Sequence, residues 1–353
     1  MTAKLLSNAF EKWSADGQPL VLASVYETEG STYSKTGEQM LITPDGNIQG
    51  MLSGGCLEGD LATRAKDVAE SGDPQLVTYD LRADDDELWG LGVGCDGMIR
   101  VFLQRLSKET NYEPFSSMRS AYEGSDWQYA VTIISSEVPG LEAGAAIVMH
   151  GENIVWTNVY EKYREQIFST ADQATANRQS QSRSVEIDGQ SCDLLISILR
   201  PYPRILVLGA GMDAIPMVRL IAELGWRATV SDHRPAYLDN GDFSQADRIA
   251  CIVASDIDKE LDLARFDAAI IMSHHLVTDE TYLRKLAASP ISYVGLLGPP
   301  HRKERLLLKL GGQGKQLEGR LHGPAGIDIN ASGAASIALS IVAQMHQQII
   351  AGR

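Results

Sequence analysis

The chain predicts an α/β protein: a doubly wound parallel sheet in the C-terminal part, preceded by a mixed α+β unit. Three observations carry this. From residue 204 onward, compact apolar runs of strand length (205–208, 228–231, 249–253, 268–272, 293–296) alternate with helical patterns, the signature of a parallel sheet with crossover helices. Pro201 and Pro203 break the pattern just before it and mark a domain boundary. Upstream of them strands follow one another as hairpins, as where 40–43 and 48–52 flank Pro44-Asp45-Gly46-Asn47. With 353 residues there is material for two or three cores, and the expected divisions are 1–110, 111–200 and 201–353.

Taken in order, Leu5, Leu6, Ala9, Phe10 and Trp13 fall at helical spacing and predict a surface helix with one buried face. Residues 20–26 read as a strand, followed by the polar loop from Glu29 to Gly37. The hairpin comes next, then a helix over 60–71 stopped by Gly72 and Pro74, and strands at 75–81 and 99–103. Farther on, helices are expected at 114–122 and 160–173, strands at 129–135 and 145–149, and a hairpin of 184–187 with 194–199. The polar span 173–183 reads as a loop insertion. In the C-terminal part helices are expected at 258–263, 280–288 and 334–350, the last with an apolar face suited to core or subunit interface.

Composition narrows the function classes. Apolar residues make up 44% and charged residues 22% of the chain, so no segment is forced into disorder. A net charge of −15 argues against nucleic acid and anionic membranes as partners, since both require a basic surface. The first ten residues hold one lysine and an apolar run broken by Ser7 and Asn8, which lacks the pattern of a secretory signal. No apolar run approaches the ~20 residues of a membrane span, and a cytoplasmic location is the expectation. Cys56, Cys95, Cys192 and Cys251 have no paired spacing, which disfavours a disulfide framework or a zinc ribbon.

Two thiols stand in glycine-rich turns. Leu52-Ser53-Gly54-Gly55-Cys56-Leu57-Glu58 joins the hairpin to a helix, where unpaired amides and the helix dipole favour an anion or a thiolate, and the thiolate would suit a soft metal. The plainer alternative is a tight turn whose cysteine behaves as a small apolar residue. Trp89 to Gly97 holds Gly90, Gly92, Gly94, Cys95 and Gly97, more glycines than core packing explains. Beyond the boundary, Gly209-Ala210-Gly211-Met212-Asp213-Ala214 follows a buried strand, opens a helix, and has Asp232 at the tip of a second strand. That context makes it a Rossmann-like phosphate loop, with Gly209 and Gly211 at the phosphates and Asp232 at a ribose hydroxyl; Arg234 beside it suits an extra phosphate. His274 and His275 sit at a strand end where such sheets carry ligand or acid–base groups, or else form a solvated loop pair.

The motifs together resemble the XdhC/CoxI family, the accessory proteins of xanthine dehydrogenase and related molybdenum hydroxylases. They run in the family's order: Gly30-Ser31-Thr32-Tyr33 with Lys35, Gly37 and Met40; Ser53 to Gly59; Gly92-Val93-Gly94-Cys95-Asp96-Gly97; Leu208 to Gly211; Asp232-His233-Arg234-Pro235; and Gly323 to Ile329. The resemblance implies a dimeric maturation factor without catalytic residues of its own. It would bind the molybdenum cofactor, as molybdopterin or its dinucleotide form, and deliver it to an apo-hydroxylase, with a cysteine desulfurase as a further partner. On that basis Lys35, Ser53, Gly54, Gly55, Cys56, Gly94, Cys95 and Gly97 are expected at the cofactor, with Cys56 and Cys95 as metal ligands. Gly209, Gly211 and Asp232 would hold its nucleotide or NAD(P). The competing class is an NAD(P)-dependent oxidoreductase using His274 or His275. The chain departs from relatives at Ser273-His274-His275 and Pro299-Pro300-His301-Arg302.

Overall fold

Leu6 and Phe10, one helical turn apart on α1 (Ala3–Ser14), are both buried and fix that helix against its neighbours. The computed structural model describes residues 3–80, 82 and 97–351, in two units divided between Pro201 and Tyr202. In the first, β1 (Leu20–Gly30) and β2 (Gln39–Ile42) pair antiparallel, and β3 (Ile48–Gln49) closes the expected hairpin. After α2 (Glu58–Ser71), β4 (Gln75–Asp80) and β5 (Gly97–Leu106) complete a sheet of order β3-β2-β1-β5-β4. Leu61, Ala65 and Val68 of α2 cover one face, on Val21, Ala23, Val101 and Leu103. Leu6, Phe10 and Phe115 cover the other, the last from α3 (Phe115–Glu123).

A second antiparallel sheet follows in the same unit. It is built from β6 (Gln128–Ser136), β7 (Ala146–His150), β8 (Asn153–Thr157), β9 (Gln181–Ile187) and β10 (Gln190–Leu199), in the order β8-β7-β6-β10-β9. Tyr163, Ile167 and Ala171 of α4 (Glu161–Thr175) pack onto it. Phe102 of the first sheet meets Ile134 and Leu195 of the second.

Three features differ from the sequence expectation. β1 runs four residues past Tyr26, because a bulge between Val25 and Glu27 breaks the alternation while pairing continues. The span 173–183 is not a loop insertion: α4 runs to Thr175 and β9 starts at Gln181. β8 is an added edge strand; Asn153, Ile154 and Val155 are exposed and leave no inward pattern to detect.

In the second unit the central strands are buried on both faces and need helices on both sides. β11 (Arg204–Leu208), α5 (Ala214–Glu223), β12 (Arg227–Asp232), α6 (Pro235–Asn240), β13 (Arg248–Cys251) and α7 (Ile257–Glu260) form the first half. β14 (Ala268–Ile271), α8 (Leu276–Ala287), β15 (Tyr293–Leu296), α9 (Pro300–Leu310), β16 (Leu321–His322) and α10 (Ala334–Ala351) form the second. The strands are parallel, in the order β13-β12-β11-β14-β15-β16, so the sheet reverses direction between β11 and β14. Ile205 and Val207 face α5 and α10, while Leu206 and Leu208 face the side lined by α8 and α9. Among the described residues no helix is long and apolar enough to cross a membrane.

Packing in this sheet is tight enough to assign a glycine. A Cβ on Gly295 would lie 2.6 Å from Cδ1 of Ile270 and 3.1 Å from the Tyr293 ring. Gly295→Ala is expected to cost about 1–3 kcal/mol by overpacking. Ile270→Val removes the clashing methyl, so denaturant unfolding of the double variant should show at least about 0.5 kcal/mol of recovery relative to additivity.

Candidate functional site

Two glycine turns organise the chemistry, one in each unit, and each is held by a carboxylate of this chain. Between β3 and α2, Leu52 is fully buried, Gly54 and Gly55 take φ values of +78° and +112° at the surface, and Leu57 returns to the core. Only glycine adopts such conformations without strain. Glu58, at the start of α2, folds back into the turn. Its Oε1 accepts from the amides of Leu52 (2.8 Å) and Ser53 (2.9 Å). Its Oε2 accepts from the Ser53 hydroxyl (2.5 Å) and the amides of Gly55 (3.0 Å) and Leu57 (3.2 Å). The Ser53 oxygen in turn accepts from the Leu57 amide at 2.8 Å.

The expectation that these amides stand open to an outside anion therefore needs correcting. A glutamate one position into the helix reaches them first, and a buried carboxylate is stable only when its oxygens are fully bonded. Burial alone would push the Glu58 carboxyl up; the hydrogen bonds from the Ser53 hydroxyl and amide, and from Leu52, outweigh it and hold the group below its ordinary value. Within the turn, the amides of Gly54 and Cys56 make no hydrogen bond among the described residues. Cys56 is a free, half-buried thiol packed beside the core under α2. Among the described residues a Cβ on Gly55 would meet nothing within 4 Å, so they leave the turn as an open ledge bearing a thiol.

Of the other expected elements, the loop after β1 approaches the same ledge through Tyr33. The Tyr33 ring, 60% exposed, lies 3.8 Å from a Cβ built on Gly54. Ser34 donates to the Met51 carbonyl at 3.3 Å and ties the loop carrying Lys35, which is exposed, to the chain entering the turn. Gly97 pairs with Gly30, and a Cβ there would lie 2.5 Å from the Ser31 carbonyl, so it is a close-approach glycine. Gly94 and Cys95 lie outside the described residues. Among the described residues no three His, Cys, Asp or Glu side chains cluster as a metal site, and Cys56 is the sulfur donor that the described part of this ledge offers.

In the second unit the Gly209 loop lies at the point where the sheet reverses. Gly209, at φ +127°, crosses the end of β14 so closely that a Cβ would sit 2.4 Å from the Met272 carbonyl. Asp232, only 1% exposed, accepts from the Ala210 amide at 2.9 Å and from Arg234 through its amide (3.0 Å), Nε (2.9 Å) and guanidinium terminus (2.8 Å). Burial would raise this carboxyl, and the Arg234 contacts hold it low instead. Both oxygens expected to reach a ribose are thus engaged within the chain. Arg234 itself lies over the Tyr237 ring at 3.6 Å.

Two residues that the motif did not single out flank the loop. Asp213, at the entry to α5, bonds His274 Nε2 at 2.8 Å, with His274 at φ +60° and Gly211 between them. His275 instead bonds Thr278 Oγ1 at 2.9 Å, at the start of α8. Beneath them Ser273 donates to the buried Asp279, whose other oxygen accepts from Arg302 at 2.6 Å and 3.1 Å. An anion settling on this loop would meet the Asp213 carboxylate, which His274 pairs. The signal for Asp213 and Glu58 was present as acidic residues inside glycine-rich turns, but a sequence does not show which amides a side chain will fill.

Because the Glu58 carboxyl is held below 4.5 in the fold, its stabilisation is complete above that value and is lost as pH falls through the lowered one. Glu58→Gln sets an amide NH2 against N–H donors and is expected to destabilise by about 2 kcal/mol or more at pH 7. Urea midpoints measured from pH 7 down to about 3 should converge for wild type and variant. A constant gap across that range would show that Glu58 does not act through its charge.

Residues 13–80, which include the thiol turn, match the model of the XdhC and CoxI family, and residues 205–345, which include the glycine loop, match that of the XdhC Rossmann domain. A protein of Bacillus subtilis, described as a probable subunit of xanthine dehydrogenase, is 30% identical over 332 residues, 94% of each chain. The crystal structure of a xanthine dehydrogenase from Bacillus halodurans superposes with a TM-score of 0.79 at 28% identity, covering 100% of this chain and 97% of that one. With both turns inside matched segments and a relative aligned along nearly its whole length, this chain belongs to the XdhC/CoxI family.

Proposed function

We propose that the protein is a maturation factor that holds the molybdenum cofactor and delivers it to a xanthine dehydrogenase-type molybdenum hydroxylase. The names of its relatives tie them to xanthine dehydrogenase. The observation that carries the reading to this chain is the ledge at Gly54, Gly55 and Cys56: a half-buried soft donor and, among the described residues, two uncommitted amides and room above a glycine. That donor set fits the group. The Cys56 thiolate suits a soft, sulfur-rich metal centre, and the amides of Gly54 and Cys56 with the Lys35 ammonium suit its phosphate. When bound, the cofactor supplies the molybdenum chemistry that the client enzyme uses. The chain's residues bind and orient it: Glu58 keeps the turn in shape, Tyr33 covers one side, and no residue is required to turn over substrate.

The reversal of the sheet beside the Gly209 loop favours a nucleotide-type ligand in the second unit, either the nucleotide of the dinucleotide form or NAD(P). For NAD(P), Asp232 would first have to release Arg234.

The test is retention of cargo. Purified without oxygen from cells that make a molybdenum hydroxylase, the wild-type chain is expected to carry molybdenum and a pterin, measured by elemental analysis and mass spectrometry. Cys56→Ala should lower the molybdenum retained about tenfold, the scale of one lost ligand interaction. Wild-type protein free of pterin and metal would end the reading. Equal retention by the variant would remove Cys56 from it. Tight NADH binding with turnover of a small carbonyl compound would replace it with oxidoreductase chemistry.

A further inference from the structure

The Gly209 loop of the second unit carries a carboxylate of its own besides the one at the strand tip. Asp213 stands at the entry to α5, where an aspartate ordinarily turns an oxygen onto the first free amides of the helix. This one makes no such capping bond. Its side chain turns back over Gly211 instead, with Oδ2 on His274 Nε2 at 2.8 Å and Oδ1 2.5 Å from the place a Cβ on Gly211 would take. The His274 ring closes the same space, its Cδ2 3.8 Å from that point.

The position matters because the second glycine of such a loop lacks a side chain so that a pyrophosphate can approach the backbone. Here an oxygen of the chain itself stands in that approach. The donors that a phosphate would use are nevertheless spare. Among the described residues the amides of Gly211, Met212 and Asp213 make no hydrogen bond, while that of Ala210 is taken by Asp232. The carboxylate is also free to leave, since the Asp213 side chain is 25% exposed and that of His274 60%. His274 keeps its place at φ +60°, a left-handed conformation uncommon for a residue with a side chain.

We propose that Asp213 is the specificity-determining residue of this loop: a built-in competitor that occupies the phosphate position, latched by His274, and that a nucleotide's pyrophosphate must displace. The inference rests on the nucleotide reading of the second unit and adds a selectivity to it. Like charges brought together repel, so the latch weakens ligands that bring phosphate to Gly211 and leaves unaffected those that bring none. A free nucleoside diphosphate is thereby held off. A ligand with further contacts beyond the loop drives the carboxylate out.

The probes are ADP and CDP, titrated by calorimetry into the full chain, with adenosine and cytidine as matched ligands without phosphate. Asp213→Ala removes the competitor, and Asp213→Asn keeps its size and drops its charge. Because Asp213 makes no capping bond, both variants are expected to melt within about 5 °C of wild type. At least one diphosphate is expected to bind Asp213→Ala at least about tenfold more tightly than wild type, and Asp213→Asn at least about threefold, while the nucleosides treat all three proteins alike. Measurable diphosphate affinity that is equal in wild type and both variants would overturn the proposal and leave the nucleotide reading standing. An equal gain for nucleoside and diphosphate would make Asp213 a steric obstacle rather than a rival of phosphate, and would also overturn it. No saturable heat from any of the three proteins up to about 10 mM ligand would end the nucleotide reading and the proposal with it.

Discussion

A buried carboxylate inside a ring of amides is the interaction on which the first unit's site depends. Removing an ionised carboxyl from water costs several kcal/mol, and Glu58 recovers this through charge-assisted bonds from Leu52, Ser53, Gly55 and Leu57, each worth about 1.5–3 kcal/mol. The conformation that permits them needs glycine at 54 and 55. Side chain and backbone specify each other: glycines without the glutamate would leave amides unpaired, and the glutamate without the glycines would be an uncompensated buried charge. Cys56 inherits a fixed position from both.

The second unit solves a similar problem with the same chemistry. Asp232 takes the Ala210 amide of the glycine loop and is neutralised by Arg234, so the loop holds its shape without a phosphate. Gly209 is required twice, by its positive φ and by the backbone of Met272 beneath it. In both units an internal anion preorganises a turn of the kind that elsewhere receives external anions. What remains for a ligand is correspondingly selective. It must use the donors left over, as at Gly54 and Cys56, or displace a formed pair, as at Asp213 and His274.

Much of the architecture was legible because burial on two faces leaves a strong mark. The runs at 205–208 and 268–272 became β11 and β14, and the glycine loop falls between β11 and α5 as its context demanded. Edge and bulged elements were not legible, because their residues answer to solvent or to local register: β8 exposes Ile154 and Val155, and β1 changes register after Val25. The site was legible as a set of turns but not as a set of bonds. Gly54 could be marked as special from residue type alone, and Gly30 and Tyr33 through the motif that carries the family resemblance. That Gly97 is needed because the Ser31 carbonyl lies against it, or that Asp232 faces Arg234, depends on tertiary approach.

The internal carboxylate also bears on which ligand the proposed ledge would prefer. An open turn of N–H groups at a helix N-terminus attracts any small anion, and a cell offers phosphate in excess. Here Glu58 already cancels most of that positive field, and a chain of net charge −15 adds further repulsion. A free hard anion gains little at such a site. A ligand whose soft, metal-bearing end meets the Cys56 sulfur while a tethered phosphate reaches the two spare amides gains from both contacts at once, because the second binds at the effective concentration set by the first. Selectivity for such a composite ligand over its fragments then follows from the way Glu58 blunts the turn's appetite for simple anions.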